Sequence, residues 1–200
     1  MKQEEKILTG ALVDKLGLYK FEVITSDMLE GYTRIEDYAF YRCVSITSVT
    51  IPNSVTSIGE RAFAYCCSSI TIPNSIKCIE KFAFYNRKEL KNVVIGDKTY
   101  ETQTVVNGKC KAYKAFKANM TCLDFQYEEG KTYEIEGEPK LCKYGFHACL
   151  NLLDVFNYYC GELGKDVVVH EVELEGVSDE RNEDDSKVVA KKITISERIL

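Results

Sequence analysis

The sequence lacks the features of several common protein classes. It contains no tryptophan, two histidines and three prolines in 200 residues. No window reaches the roughly 18 uninterrupted apolar residues that a membrane-spanning helix requires. The first residues, MKQEEKILTGALVDKLGLY, place acidic side chains where a secretory signal has basic ones, and Asp14 and Lys15 interrupt the apolar run. We therefore expect no membrane association and a cytoplasmic location.

The chain also lacks an excess of basic residues. Lysine and arginine number 26 against 31 aspartates and glutamates, which gives a formal net charge of −5. Proteins that grip nucleic acid need a basic surface for the phosphates, so we expect no direct sequence-specific binding to nucleic acid. The nine cysteines are an odd number, and in a reducing cytosol we expect them to be free thiols.

Two short phrases recur in the first half of the sequence. Ile-Pro-Asn-Ser occurs at 51–54 and 72–75, and Ala-Phe occurs at 39–40, 62–63 and 83–84. A phrase that returns every 21 to 23 residues is typical of stacked structural repeats. The sequence therefore predicts an N-terminal helix and cap over 1–29, with the helix at 2–17, followed by three repeat units over 30–97.

Each repeat unit has the same predicted plan. Ile-x-x-x-Ala-Phe forms one apolar stripe along a short helix, because positions i, i+4 and i+5 share a helix face. The following Ile-x-x-Val-x-Ile run is a brief strand that proline ends. Cys43 and Cys66 are predicted to lie in the core at the inner end of the helix. In the third unit Arg87 replaces that cysteine, and Leu90 continues the apolar pattern.

The segment VTIPNSVTSIGERAFAYC resembles the BspA-like leucine-rich repeat, whose pattern is close to IPxSVTSIGxxAFxxC. The resemblance covers about 30–95. It implies a right-handed solenoid with a parallel strand ladder. Such repeats generally bind proteins and carry no catalytic residues.

Stacked strands would align small side chains into an outward-facing surface, which we call the polar rack. The rack is flat and uncharged, and we predict that it binds the partner protein. Its residues are Ser48, Thr50, Ser69, Thr71, Asn92 and Val94.

Residues 98–200 predict a second, mixed domain, so the fold class is α+β with a short solenoid. Residues 99–106 and 109–116 predict a hairpin with Asn107-Gly108 as its turn, since both turn residues accept positive φ angles. Alternating apolar residues predict strands, and Asn151 is placed to cap a helix over 152–159. The predicted strands are 123–127, 131–135, 144–148, 167–174 and 187–195. Residues 178–186, SDERNEDDS, read as an exposed acidic connection.

The stretch AYKAFKANMTCLDFQYEEGKTYEIEGEPKLCKYGFHACLNLLDVFNYY resembles an uncharacterised domain that is common in phage and prophage genomes. The resemblance covers about 112–200. Leu123-Asp124 stands where Arg-Gly is expected, and Leu152 where proline is usual, which leaves the local loop shape open. The family implies no established activity, but phage origin favours a counter-defence role.

Three kinds of chemistry are conceivable in this domain. Cys122, Cys142, His147 and Cys149 are a set of zinc-binding residue types, but no Cys-x-x-Cys pair is present. Cys149 could act as a nucleophile with His147 or His170 as base, but no oxyanion-hole motif accompanies it. A nucleotide pocket could use His147, Tyr158, Tyr159 and Glu171, although a glycine-rich phosphate loop is missing.

Two functional hypotheses from different classes follow. The first is a non-enzymatic protein without cofactors that binds and blocks a host protein, such as a CRISPR or other immune nuclease or sensor. The alternative is an NAD-binding or nucleotide-binding, ADP-ribosyltransferase-like C-terminal domain that acts on or sequesters an immune signal. Pairing of the repeats with a second copy, which would give a homo-oligomer, is a third option.

Overall fold

The computed structural model describes residues 5–85 and 92–200. The chain divides into two compact units, Met1–Glu101 and Thr102–Leu200. The regular secondary structure of both units is mostly β-strand, with few helices. Within the described ranges no helix is long and apolar enough to cross a membrane.

The first unit is a series of short strands joined by turns. It contains one α-helix, α1, at Gly10–Lys15, and 3₁₀ helices at Leu18–Lys20 and Ser26–Leu29. The strands are β1 (Ile7–Leu8), β2 (Val23–Ile24), β3 (Arg34–Ile35), β4 (Ser48–Thr50), β5 (Ser57–Ile58), β6 (Ser69–Ile72), β7 (Cys78–Ile79), β8 (Asn92–Ile95) and β9 (Lys98–Glu101).

Equivalent strands of successive repeats pair with each other. Strands β2, β4, β6 and β8 pair in parallel in that order, and β9 adds to β8 in the antiparallel sense. Strands β1, β3, β5 and β7 also pair in parallel. The isoleucines at 35, 58 and 79 align in register, and all three are almost fully buried. Residues one repeat apart in the sequence are therefore paired in neighbouring strands.

A stack of phenylalanines fills the centre of the repeats. Phe63 lies between Phe40 and Phe84, with ring centroids 5.1 Å and 6.0 Å away and interplanar angles of 6° and 7°. All three rings are at most 1% exposed. The backbone N–H of Phe63 donates to the Ala83 carbonyl at 2.8 Å. Ring stacking and backbone hydrogen bonds therefore both connect one repeat to the next.

The predicted helices of the repeats are wrong. The Ala-Phe pairs lie in turns, and the isoleucines before them lie in strands β3, β5 and β7. The turns contain residues with positive φ, such as Tyr38 at 60° and Arg61 at 50°, which interrupt an α-helix. At the N-terminus the described helix is also shorter than predicted, because Ile7 and Leu8 form β1 and the side chain of Thr9 caps α1.

The predicted core cysteines are corrected as well. Cys43 and Cys66 are half-buried, and their neighbour Cys67 is the buried one, with 1% exposure. Burial, followed by Asp14, raises the pKa of the Cys43 thiol. The nine cysteines are free thiols in the structure. The predictions for Arg87 and Leu90 lie outside the described residues.

The second unit contains a five-stranded antiparallel sheet, a separate two-stranded hairpin and one 3₁₀ helix at Leu152–Asn157. Its strands are β10 (Lys109–Lys117), β11 (Thr121–Cys122), β12 (Phe125–Gln126), β13 (Thr132–Glu134), β14 (Phe146–Cys149), β15 (Gly161–Glu162), β16 (Val167–Val177) and β17 (Lys187–Arg198).

Four of these strands form a closed ring of pairings. The sheet order is β13-β17-β14-β10-β16, and β16 also pairs with β17. Phe116, Val172, Val188 and Ile193 belong to its core and are fully buried. Strand β10 therefore has a hydrogen-bonded neighbour on each edge, and its central residues, 112–116, are buried.

The local predictions for this unit hold in part. Asn107 and Gly108 both have positive φ in a turn that one bridge, between Val106 and Lys109, closes. The predicted hairpin is wrong beyond this turn, because β9 pairs with β8 whereas β10 pairs with β14 and β16. The Asn151 side chain accepts from the Leu153 N–H at 3.0 Å as a cap. The capped helix is 3₁₀ rather than α. The predicted strand through Leu123 is wrong, because that residue has φ 53° in the turn between β11 and β12 and is 82% exposed.

Candidate functional site

The second unit contains a cavity of about 1090 Å³. Strands β10, β13, β14 and β17, the β11–β12 hairpin and the 3₁₀ helix all contribute to its walls. A cavity of this size is at the upper end of those that bind small organic molecules. It is therefore the candidate ligand site of the second unit.

A lysine lies in the wall of this cavity. Lys114 is in the middle of β10 and is 6% exposed. Its Nζ donates to the His147 carbonyl oxygen at 2.7 Å, and the Cys122 thiol also hydrogen-bonds it. Burial lowers the pKa of Lys114, because the charged ammonium loses its hydration.

Aromatic rings form another part of the wall. The rings of Phe125, Tyr127 and Tyr133 contact each other edge to face, with centroids 4.7 to 5.3 Å apart. The ammonium of Lys114 lies 5.6 Å from the Tyr127 ring centroid. Tyr127 is buried, whereas Phe125 is 46% exposed. The cavity thus combines a buried cation with flat apolar surfaces that reach solvent.

His147 lines the same cavity from β14 and is held as the neutral imidazole. Burial, followed by the charges of Lys114 and Lys187, lowers its pKa to about 4. Its Nε2 accepts from the Cys142 N–H at 2.8 Å, so Nδ1 carries the hydrogen at neutral pH. The two lysines create a positive potential in the cavity that a neutral histidine does not offset.

The low pKa of His147 predicts a loss of stability in mild acid. The pKa is about 4 in the folded protein against 6.5 for the ordinary side chain, so the unfolded chain binds the proton more readily. The free energy of unfolding should therefore fall as pH drops from about 6.5 to about 4.

Urea unfolding at pH 7 and pH 4.5 measures this effect against His147→Gln. Glutamine keeps an acceptor for the Cys142 N–H but does not titrate, so the variant should lose less stability in acid than the wild type. Equal acid losses in the two proteins would show that His147 makes no contribution. The carboxylates are common to both proteins and cancel in the comparison.

Three of the four residues predicted for a nucleotide pocket line the cavity. They are His147, Tyr158 and Tyr159. Tyr158 donates to the Asp185 carboxylate, and the Tyr159 hydroxyl donates to Cys122 Sγ at 3.1 Å. Glu171 is not part of the lining, because its carboxylate accepts from Lys111 Nζ at 2.7 Å on the surface of β16.

The zinc hypothesis finds no geometric support. Cys122, Cys142, His147 and Cys149 all line the cavity, but the described residues contain no group of three or more side chains placed to hold a metal. His147 Nε2 already accepts a hydrogen bond from the Cys142 N–H.

The nucleophile hypothesis is also unsupported. Burial, followed by the Asp154 and Asp185 charges, raises the pKa of Cys149 well above its ordinary value. A thiol that stays protonated is a poor nucleophile. His170, the other candidate base, is 2% exposed and its Nδ1 bonds to the Ser196 carbonyl oxygen at 3.0 Å.

The polar rack of the first unit is aligned in the structure. Ser48 pairs with Ser69 and Ser69 with Asn92, while Thr50 pairs with Thr71 and Thr71 with Val94. Asn92 is exposed and the other five are half-buried. The rack is a row of short side chains that offers a partner small, shallow contacts.

A second surface of the repeats consists of aromatic and arginine side chains. Tyr41, Tyr65 and Tyr85 contact each other in sequence, with centroids 5.8 Å apart at both steps. The Arg42 guanidinium lies 5.4 Å and 5.5 Å from the first two rings. We call this surface the tyrosine–arginine face, and its residues are Tyr38, Tyr41, Arg42, Arg61, Tyr65, Phe82 and Tyr85.

Five residues of this face have an unfavourable backbone conformation. Tyr38, Arg42, Arg61, Tyr65 and Phe82 all have φ between 50° and 60°, a region that residues other than glycine seldom adopt. The Arg61 guanidinium lies 4.8 Å from the Phe82 ring and donates to the Tyr38 hydroxyl at 3.1 Å. Inter-repeat hydrogen bonds hold these turns, because the Tyr65 N–H donates to the Tyr85 carbonyl at 3.0 Å.

Sequence reasoning missed both Lys114 and the tyrosine–arginine face. The available signals were the lysine inside the apolar run Ala-Tyr-Lys-Ala-Phe at 112–116, and a tyrosine in each repeat two residues after Ala-Phe or directly after it. The spacing of the apolar residues predicts only which side chains form the core, whereas these residues lie at the edge of the core.

Two family models match the chain. Residues 33–128 match the BspA type leucine rich repeat region, in six copies. Residues 110–200 match a domain of unknown function, DUF7666. Comparisons with curated proteins and with solved structures gave no match. The repeat match supports a repeat fold and suggests a protein-binding module.

Proposed function

We propose that this protein is a non-enzymatic protein-binding module whose repeats contact an acidic segment of the partner through the tyrosine–arginine face. The observation that carries the proposal is the continuous row of tyrosines with Arg42 above it. Tyrosine and arginine are enriched among the residues that dominate binding energy at interfaces. The similarity to leucine rich repeats supports the same class of function.

Charge favours an acidic partner. Arg42 is exposed, and no carboxylate among the described residues forms an ion pair with it. Arg61, by contrast, pairs with Glu60. An aspartate or glutamate of a partner would meet a guanidinium that is already oriented by two rings, which lowers the entropy lost on binding.

The rest of the proposal concerns the architecture of the repeats, the cellular location and the target protein. The paired strands support a short solenoid with a parallel ladder, in which each repeat contacts its neighbours. The cytoplasmic location, the phage origin and a host defence protein as the blocked target stay predictions from the sequence. So does assembly with a second copy, which light scattering tests.

A capture experiment with three variants tests the proposal. Wild type, Arg42→Asp, Thr71→Lys and Lys77→Glu are immobilised at equal density and exposed to lysate of the native cell. Aspartate tolerates positive φ, so Arg42→Asp reverses the charge without new backbone strain. The rack variant Thr71→Lys and the exposed Lys77→Glu are matched controls on the same repeats.

The wild type should retain one stoichiometric partner, and both controls should retain it equally. Arg42→Asp should weaken retention by roughly thirtyfold, since the loss of an interface arginine costs about 2 kcal/mol. Loss of the partner with Thr71→Lys but not with Arg42→Asp would move the site to the polar rack. Repeated capture without any stoichiometric partner would contradict the protein-binding function itself.

A further inference from the structure

The buried Lys114 ammonium has no anionic partner within the described part of the chain. Its contacts are the neutral His147 carbonyl, the Cys122 thiol and the rings of Phe116 and Tyr127. Buried charges in proteins are normally paired, because an unpaired ion loses its hydration without compensation. A lysine that is 6% exposed and lines a large cavity is therefore an incomplete ion pair.

The charge around the cavity favours an anion. The half-buried Lys187 also lines it and lies 4.3 Å from the Tyr158 ring centroid, whereas Lys143 is exposed and well solvated. The acidic residues of the lining, Asp124 and Glu134, are exposed and so are well solvated. The anion would thus find its strongest attraction at the buried end, beside Lys114.

The walls favour a flat ring. Phe125, Tyr127 and Tyr133 form an edge-to-face cluster next to Lys114, and Phe125 extends to solvent. A single ammonium is a point charge, and the sequence has no glycine-rich loop to cradle several phosphates. These features suit one negative charge on a small aromatic body.

We propose that the cavity of the second unit is a binding site for a small aromatic monoanion, whose charged group pairs with Lys114 and whose ring packs against Phe125, Tyr127 and Tyr133. A carboxylate and a sulfonate share this chemistry, because each carries a single negative charge at neutral pH. The site is separate from the tyrosine–arginine face, so either proposal can fail without the other.

A pair of fluorescent probes tests the proposal on the full chain. 8-Anilinonaphthalene-1-sulfonate carries one negative charge, and N-phenyl-1-naphthylamine has the same ring system without it. The wild type should bind the anionic probe at least tenfold more tightly. Lys114→Met should abolish this preference while it keeps binding to the neutral probe, which shows that the cavity has formed.

Matched variants locate the effect. Lys117→Met removes an exposed lysine from the same strand and should leave both affinities unchanged. Arg42→Asp should also leave them unchanged, which separates this site from the repeats. Equal affinities for the two probes in the wild type, no binding of either probe, or unchanged anion preference in Lys114→Met would each overturn the proposal.

Competition keeps the proposal falsifiable if Lys114→Met does not fold. Benzoate should displace the anionic probe from the wild type, and benzyl alcohol at the same concentration should not. Benzenesulfonate in place of benzoate distinguishes the two kinds of charged group, and displacement by either anion supports the site. Equal displacement by benzyl alcohol would show that Lys114 does not select charge.

Discussion

Phe63→Ala is expected to lower the free energy of unfolding of the first unit by about 3–5 kcal/mol. The Phe63 ring is fully buried between Phe40 and Phe84, so its removal leaves a cavity in the middle of the repeats. The neighbouring rings are held by inter-repeat hydrogen bonds, such as the one from Phe40 N–H to the Ala62 carbonyl at 2.7 Å. They therefore cannot close the gap.

Hydrogen–deuterium exchange of peptides from the first unit measures this loss separately from the second unit. The control is Phe82→Ala, because the Phe82 ring is half-buried on the tyrosine–arginine face. The control should cost about 1 kcal/mol, since truncation there leaves no enclosed cavity. Equal losses in the two variants would contradict a core built on the phenylalanine stack.

Lys114→Met is expected to raise the free energy of unfolding of the second unit by about 1–3 kcal/mol in the absence of ligand. The ammonium is buried without an anion, whereas methionine fills a similar volume without a charge. The variant also loses the hydrogen bond to the His147 carbonyl, which reduces the gain by about 1 kcal/mol. The desolvation cost of the buried ammonium is larger than this loss. The lysine thus lowers stability at the place where we propose that it binds an anion.

The pH dependence of this gain has a defined sign. The pKa of Lys114 in the folded protein lies below the ordinary 10.5, so the unfolded chain holds the proton more tightly. The advantage of Lys114→Met should be greatest below the folded pKa and should shrink as pH rises toward 10.5. Urea unfolding of both proteins at several pH values measures the difference.

Lys117→Met is the matched control, because it removes an exposed lysine of the same strand. It should change stability by no more than about 0.5 kcal/mol. A loss of several kcal/mol in Lys114→Met would mean that the lysine stabilises the fold as part of its hydrogen-bond network, without any need for a ligand.

The repeats could be predicted from the sequence because residues at equivalent positions of successive repeats pair in register. The isoleucines at 35, 58 and 79 are 23 and 21 residues apart, and they pair directly although the spacing differs. The two-residue difference is absorbed in the turns between strands. Because the same position is buried in every repeat, the same residue type recurs there, and this recurrence can be seen in the sequence alone.

The local conformation of the repeats was not readable in the same way. Apolar residues at i, i+4 and i+5 fit a helix face, but they fit a tight turn equally well when intervening residues adopt positive φ. Arg61 and Phe82 do so although they have side chains, and glycine does not stand at either of these positive-φ positions. At Tyr38, Arg42 and Tyr65 the positive φ is accompanied by a backbone hydrogen bond to the next repeat, and the sequence of one repeat does not reveal that bond.

The cavity was predicted only in part, because its residues come from distant segments. His147, Tyr158 and Tyr159 were proposed together as residues of a nucleotide pocket, and all three line the cavity. Glu171 was included although strand pairing places it opposite Tyr113, where it binds Lys111. Lys114 was missed, since nothing in the local sequence separates a buried lysine from an exposed one in a strand.

The most direct test of the protein-binding account is hydroxyl-radical footprinting of the chain with its captured partner. Tyr38 and Tyr65 report on the tyrosine–arginine face, and Tyr144, which is 46% exposed in the second unit, is the internal reference. The account predicts that oxidation of Tyr38 and Tyr65 falls several-fold in the complex while oxidation of Tyr144 is unchanged. Unchanged oxidation of Tyr38 and Tyr65 in a stoichiometric complex would contradict it.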